Sequence, residues 1–191
     1  MLAEPLAVAL LVGEVLDDLG VPWLVGGSVA SSLHGIPRST QDVDLVADLL
    51  GVHVAAFTAA LQDRFYVDAQ AVMGAVKRRA SCNLIHLDTM TKVDVFVAKA
   101  DPLSRGEMSR RQYFEIEQGV RLPLASAEDI VLQKLAWFRK GGGVSERQWR
   151  DVLGVLRVRA NDLDLMYLRE AAADEGLTVL LDEALAAAAA T

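Results

Sequence analysis

Asp42 and Asp44 stand two residues apart in the stretch Asp42-Val43-Asp44-Leu45-Val46. In a strand, residues i and i+2 project from one face, so the two carboxylates point together while Val43 and Leu45 face the other way. Carboxylates held side by side repel each other unless a cation lies between them. A hard divalent cation is the natural partner, and Mg²⁺ takes one or two carboxylates together with substrate phosphates. Asp94 is the single acid in the otherwise mostly apolar run Lys92-Val93-Asp94-Val95-Phe96-Val97. A lone carboxylate is costly to bury in such a strand. That cost predicts a neighbouring strand carrying Asp42 and Asp44, with the three acids sharing a metal site. Three carboxylates from two strands can hold a pair of ions that clamp the attacking and leaving oxygens of a phosphoryl displacement.

Upstream lies Val25-Gly26-Gly27-Ser28, between a short apolar strand and a helix. Glycine lets backbone approach a ligand closely, and a helix N-terminus offers N–H groups and a favourable dipole to an anion. Ser28 can donate its hydroxyl to a phosphate oxygen. Gly26, Gly27 and Ser28 therefore form a candidate phosphate cradle beside the acids, the combination that nucleotidyl transfer requires. Each piece alone has a plainer reading: a Gly-Gly turn, a solvated or helix-capping Asp-x-Asp, a salt-bridged Asp94. Together they are far more specific.

These residues need elements to position them. Residues 3–19 read as an amphipathic helix that tolerates Pro5 in its first turn. Trp23 to Val25 and Asp42 to Ala47 read as strands, with a helix over 28–34 that closes at Gly35-Ile36-Pro37. A helix over 51–62 and a strand at Phe65-Tyr66-Val67 follow. Ser81 to Leu87 and Lys92 to Ala98 are adjacent strands around a turn, and Tyr113 to Val120 is one more. From Leu122-Pro123 onward the pattern is helical. Ser126 caps one helix, Ser145-Glu146-Arg147-Gln148 opens another with a capping-box pattern, and weaker helices follow over 163–173 and 177–189. Trp137 and Trp149 read as core residues. The expected fold is α+β: a mixed sheet flanked by helices over 1–122, then a helical bundle over 123–191.

Composition bounds the rest. The 191 residues are 52% hydrophobic and 24% charged, with a formal net charge of −7. This is a folding composition that disfavours loose, charge-driven binding to nucleic acid. The charge is uneven: residues 76–159 hold 16 bases against 10 acids, while both flanks are acidic. Such a basic middle suits a polyanionic ligand, or simply solvated helix faces. One cysteine, Cys82, excludes a disulfide framework and a cysteine-built zinc site. His34, His53 and His86 have no metal-ligand spacing. No apolar run is long enough to cross a bilayer and no basic leader precedes Glu4, so a cytoplasmic, non-membrane protein is expected.

The series Gly-Gly-Ser, short helix, Gly-Ile-Pro-Arg-Ser-Thr-Gln-Asp-Val-Asp-Leu resembles the signature of the nucleotidyltransferase superfamily, the DNA polymerase β-like fold. Within it the chain is similar to AbiEii-type and related bacterial nucleotidyltransferase-like proteins, and Arg38 ahead of the acids is similar to the CCA-adding branch. The resemblance implies that Gly27 and Ser28 bind a triphosphate and that Asp42 and Asp44 ligate Mg²⁺. Asp94 is then the general base or a second-metal ligand. Ala127 to Leu135 resembles the family's lysine-bearing helix, and Arg147 to Leu153 its later Arg-Asp motif. This implies Lys134 near the nucleotide phosphates and Asp151 near Lys134. Taken alone, Lys134 borders an apolar stripe and suits a functional or snorkelling role and a solvent-facing one equally. Asp151 also suits the first turns of a helix, and Arg38 either meets phosphate or pairs with an acid.

Two functions follow as expectations. The first is transfer of a nucleoside monophosphate from an NTP to an acceptor hydroxyl on tRNA, protein or a small molecule. The resemblance here extends to toxins of toxin–antitoxin or phage-defence modules, with a cognate antitoxin as partner. The second is a catalytically weak, nucleotide-binding regulatory or interaction protein of the same fold. The sequence leaves the oligomeric state open.

Overall fold

Helix α1 (Glu4–Asp18) forms because Val8, Ala9, Val12, Val15 and Leu16 recur at helical spacing and are all buried. Pro5 falls within its first turn, where its missing N–H has no helical partner to lose. The chain continues through β1 (Trp23–Val25), α2 (Gly27–His34), β2 (Asp42–Ala47), α3 (Val54–Leu61), β3 (Phe65–Tyr66), α4 (Ala69–Arg78), β4 (Ser81–His86) and β5 (Lys92–Val97). Then come α5 (Pro102–Arg110), β6 (Gln112–Glu117), β7 (Val120–Leu124), α6 (Ala127–Lys140), α7 (Glu146–Val158), α8 (Leu165–Asp174) and α9 (Thr178–Ala189). This computed structural model describes residues 3–190.

Among the described residues, seven strands form one mixed sheet in the order β3-β4-β5-β2-β1-β7-β6. The central pair is β2 and β5, parallel and in unbroken register from Asp42↔Lys92 to Ala47↔Val97. One face of this pair is apolar: Val43, Leu45, Ala47, Val93 and Val95 are all 0% exposed. Burying a Val or Leu side chain contributes about 1.5–3 kcal/mol, so this layer fixes which way both strands face. β1 runs antiparallel to β2 and parallel to β7, while β4 closes on β5 and β3 on β4, both antiparallel.

The expected α+β class is the observed one, with local differences. The single strand read over Tyr113 to Val120 is a hairpin, β6 and β7, turned at Gly119 with φ +78°. The sheet therefore runs on to Leu124, and the helical part begins after it. Helices α4 and α5 add to the elements read from sequence. Each is started by an aspartate, Asp68 accepting from the Ala71 N–H and Asp101 from the Ser104 N–H, both at 2.8 Å.

The chain folds as two compact units. The α/β unit comprises Thr40–Leu124 and the chain before Ala30. The helical unit comprises Ala30–Ser39 and the chain from Ala125 on. In the helical unit α6 packs on α7 and α8, and α9 packs on α7 and α8. Buried Asp129 ties the start of α6 to α8, accepting from the Ser126 hydroxyl at 2.8 Å and the Tyr167 hydroxyl at 2.7 Å. Trp137 is not core: it is 50% exposed, with the Lys140 ammonium 4.9 Å from its ring centre. Trp149 is half-buried and tilts against Phe138 at 5.2 Å.

Segment 30–39 joins the helices through specific contacts. Buried His34 donates from Nε2 to the Ala125 carbonyl at 2.8 Å. Gly35 lies directly on α7: a Cβ there would stand 2.7 Å from the Val155 nitrogen and 2.8 Å from the Gly154 carbonyl carbon. Backbone cannot step aside as a side-chain tip can. Gly35→Ala is therefore expected to destabilise the protein by about 1–3 kcal/mol, read as a lower urea midpoint with an unchanged denaturant slope.

Candidate active site

In the α/β unit the β2–β5 register brings the acids to one face. Asp44 is the direct partner of Asp94, and Asp42 of Lys92. Asn83 of β4 is the partner of Asp94 on its other side, extending the same row. Asp42 is exposed and Asp44 and Asp94 are half-buried, so the face is open to water. Behind the sheet, burial pushes the Cys82 thiol up to about 11, and it offers no thiolate near neutral pH.

The Gly26-Gly27-Ser28 turn sits against Asp44. The Gly26 N–H donates to the Asp44 carbonyl at 2.9 Å, and the Ser28 N–H to the Asp44 carboxylate Oδ2 at 3.4 Å. Gly27 has φ +56°, and a Cβ on it would fall 1.7 Å from Asp44 Oδ2. Glycine is required at this position to make room for a carboxylate of the chain itself, in addition to any approach it gives a ligand.

Lys92 belongs to the same face. Its ammonium donates to Asp94 Oδ2 at 2.8 Å. That hydrogen bond, with the charges of Asp94, Asp42 and Asp44, holds the Lys92 ammonium above its ordinary value. The sequence carries a signal for this pairing, since Lys92 and Asp94 are two apart in one strand. Asn83 is also legible, as the outward polar residue of the alternating Ser81-Cys82-Asn83-Leu84 run.

The donor set tests which metal fits. All the acids offer hard oxygen. Among the described residues no three His, Cys, Asp or Glu side chains converge as a cage, and Asp94 is already bonded to Lys92. Such a set fits Mg²⁺, which needs one or two carboxylates and completes its shell with water and phosphate oxygens. It does not fit a metal held wholly by protein.

In the helical unit a second charged cluster is buried. Lys134 is 5% exposed on α6, and its ammonium donates to Asp151 Oδ2 on α7 at 2.7 Å. Arg38 forks onto both Asp151 oxygens, from Nε to Oδ1 at 3.0 Å and from Nη2 to Oδ2 at 3.1 Å. Burial alone would push the Asp151 carboxyl up. The hydrogen bonds and charges of Arg38 and Lys134 outweigh it and hold the carboxyl below its ordinary value. The structure thus brings Arg38, Lys134 and Asp151 together. Arg147 and Arg150, also in the basic middle, are exposed on α7.

Comparison with solved structures identifies the architecture. ANT(2'')-Ia in complex with adenylyl-2''-tobramycin superposes with a TM-score of 0.56 and 15% identity, over 88% of this chain and 97% of its own. Lincosamide antibiotic adenylyltransferase LnuA, lincomycin-bound, gives 0.53 and 12%, over 83% and 98%. An antigenic nucleotidyltransferase-like protein from Paracoccidioides brasiliensis gives 0.53 and 19%, over 95% and 91%. No family model matches the chain, and no curated protein matches it. The fold is that of the nucleotidyltransferases.

Gly27→Ala is expected to destabilise the protein by at least about 1–2 kcal/mol from its left-handed backbone alone, with the clash on Asp44 adding to it; thermal denaturation reads the loss. Asp151→Ala leaves Lys134 buried without its carboxylate and should cost about 3–5 kcal/mol. Because the folded carboxyl lies below its unfolded value near 3.9, its contribution is complete above that pH and disappears as pH falls through the folded value. An acid titration of stability should show this loss in the native chain and not in Asp151→Asn.

Proposed function

We propose that the protein is a Mg²⁺-dependent nucleotidyltransferase that moves a nucleoside monophosphate from an NTP to an acceptor hydroxyl. The observation that carries this is the β2–β5 register, which sets Asp42, Asp44 and Asp94 on one face, with the Gly26-Gly27-Ser28 turn against Asp44. Asp42 and Asp44 hold the metal, which when bound neutralises triphosphate charge and makes the α-phosphorus more electrophilic. The Gly26-Gly27-Ser28 turn receives the triphosphate by close backbone approach at Gly27 and through the Ser28 hydroxyl at the start of α2, the Gly26 N–H being committed to the Asp44 carbonyl. Asp94 takes the proton of the acceptor hydroxyl, and Lys92 holds the Asp94 carboxylate in place. The acceptor oxygen bonds to the α-phosphorus, the bond to the β-phosphate bridging oxygen breaks, and pyrophosphate leaves with the electron pair. The role of Lys134 and Arg38 towards the phosphates rests on the sequence resemblance; in the helical unit both cations are held by Asp151.

The acceptor is the finer part of the proposal. Similar folds include proteins described with tobramycin and lincomycin, which favours a hydroxyl-rich small molecule alongside tRNA and protein. AbiEii-type membership, a toxin or phage-defence role, a cognate antitoxin and a cytoplasmic setting rest on the sequence reading. Among the described residues no helix is long and apolar enough to cross a membrane. One observation favours the weaker function, a nucleotide-binding regulator: the Lys92 ammonium already occupies an oxygen of Asp94.

Purified protein with Mg²⁺ and labelled NTPs should release pyrophosphate and label one member of a panel of tRNA, protein and aminoglycoside-like acceptors. Asp44→Ala should abolish both signals while shifting the metal-free melting temperature by no more than a few degrees. Mg²⁺-dependent NTP binding without any transfer would select the regulator. Absence of both would sink the two readings together.

A further inference from the structure

The α/β unit carries a second charged cavity, at the opposite ends of the same central strands. It occupies about 430 Å³ where β2 and β5 finish, beside Asp48 and Ala98. Asp44 and Asp94 lie four steps along their strands from Asp48 and Ala98, roughly 13 Å, and neither lines the cavity.

Its lining is strongly basic. Arg79, Lys99, Arg105 and Arg111 face a single acid, Asp48. Arg79 already answers that acid, donating from Nη1 to Asp48 at 3.2 Å and to the Ala98 carbonyl at 2.5 Å. Three further cations line the cavity beside that one acid, with Arg105 also donating to the Ala100 carbonyl and Lys99 acting on Asp101 next to the lining. Arg111 donates from Nη1 to the Met108 carbonyl, yet its Nε is buried with no hydrogen-bond partner. Pro22 and Met108 supply apolar wall.

We propose that this cavity binds a small organic phosphate. Guanidinium forks match phosphate oxygens in pairs, and an ammonium adds a point charge. The volume falls in the range of small-molecule sites, and the apolar wall suits an organic body bearing the phosphate. The site is independent of nucleotidyl transfer and contains none of the residues assigned to it.

The test is calorimetry on the full chain in EDTA, which silences binding that depends on Mg²⁺. The probes are adenosine 5′-monophosphate, glucose 6-phosphate, inorganic phosphate and, as the uncharged control, adenosine. At least one phosphate-bearing probe should bind, and adenosine should not; the order among the three identifies the body that the wall accepts. Lys99→Ala/Arg105→Ala should weaken binding at least tenfold, and Asp44→Ala should leave it unchanged. Both lysine and arginine are exposed, and an unchanged melting temperature confirms folding; Lys99→Glu alone, weakening binding in the same direction, provides the second measurement. Failure of every phosphate probe to bind, equal binding of adenosine, or binding that survives the double substitution or disappears in Asp44→Ala would overturn the proposal.

Discussion

Register in the parallel β2–β5 pair governs the acid face. Strand side chains alternate, so a slip of one residue in β2 would drive Asp42 and Asp44 into the apolar layer and expose Val43 and Leu45, and a slip in β5 would do the same with Asp94, Val93 and Val95. Those apolar residues are fully buried. Their burial supplies the free energy that keeps like charges together on the opposite face, where repulsion would otherwise spread the strands. Lys92 lessens that repulsion from within the same row. Stability is thus stored on one side of the pair, and chemistry is placed on the other.

The helical unit solves a different electrostatic problem. One carboxylate, Asp151, receives both an ammonium and a guanidinium, and so joins α6, α7 and segment 30–39. Desolvation penalises each of these charges, and only close, multiple hydrogen bonds offset it. Arg38 is the most exposed of the three, at 26%, against 6% for the other two side chains. Arg38 is thus the accessible member of the cluster.

Much of this was legible in the residues, for physical reasons that differ from place to place. Asp42, Asp44 and Asp94 were readable because period-two alternation is strict in a strand and an acid stands out in an apolar run. The caps Ser126 and Ser145 were readable because side-chain acceptors at helix starts are local chemistry. Helix α4 was hidden because only Val72 and Ala75 form its buried face. Helix α5 was hidden because its one fully buried described residue is an acid, Glu107, rather than an apolar stripe. The Gly119 turn divides a run whose flanks both alternate like strand. The affiliation of residues 30–39 with the helices depends on contacts 91 and 113 positions away, which no local pattern encodes.

The approach of Gly27 to Asp44 also constrains how this sequence can change. With 1.7 Å between a notional Cβ and the carboxylate oxygen, no side chain can arise at position 27 while an aspartate side chain holds its place at 44. The two positions are epistatic: a lineage that gives up the acid first releases the glycine from its steric constraint, though not from its left-handed backbone. A larger residue at 27 in a descendant of this chain would therefore be a record of an acid already lost.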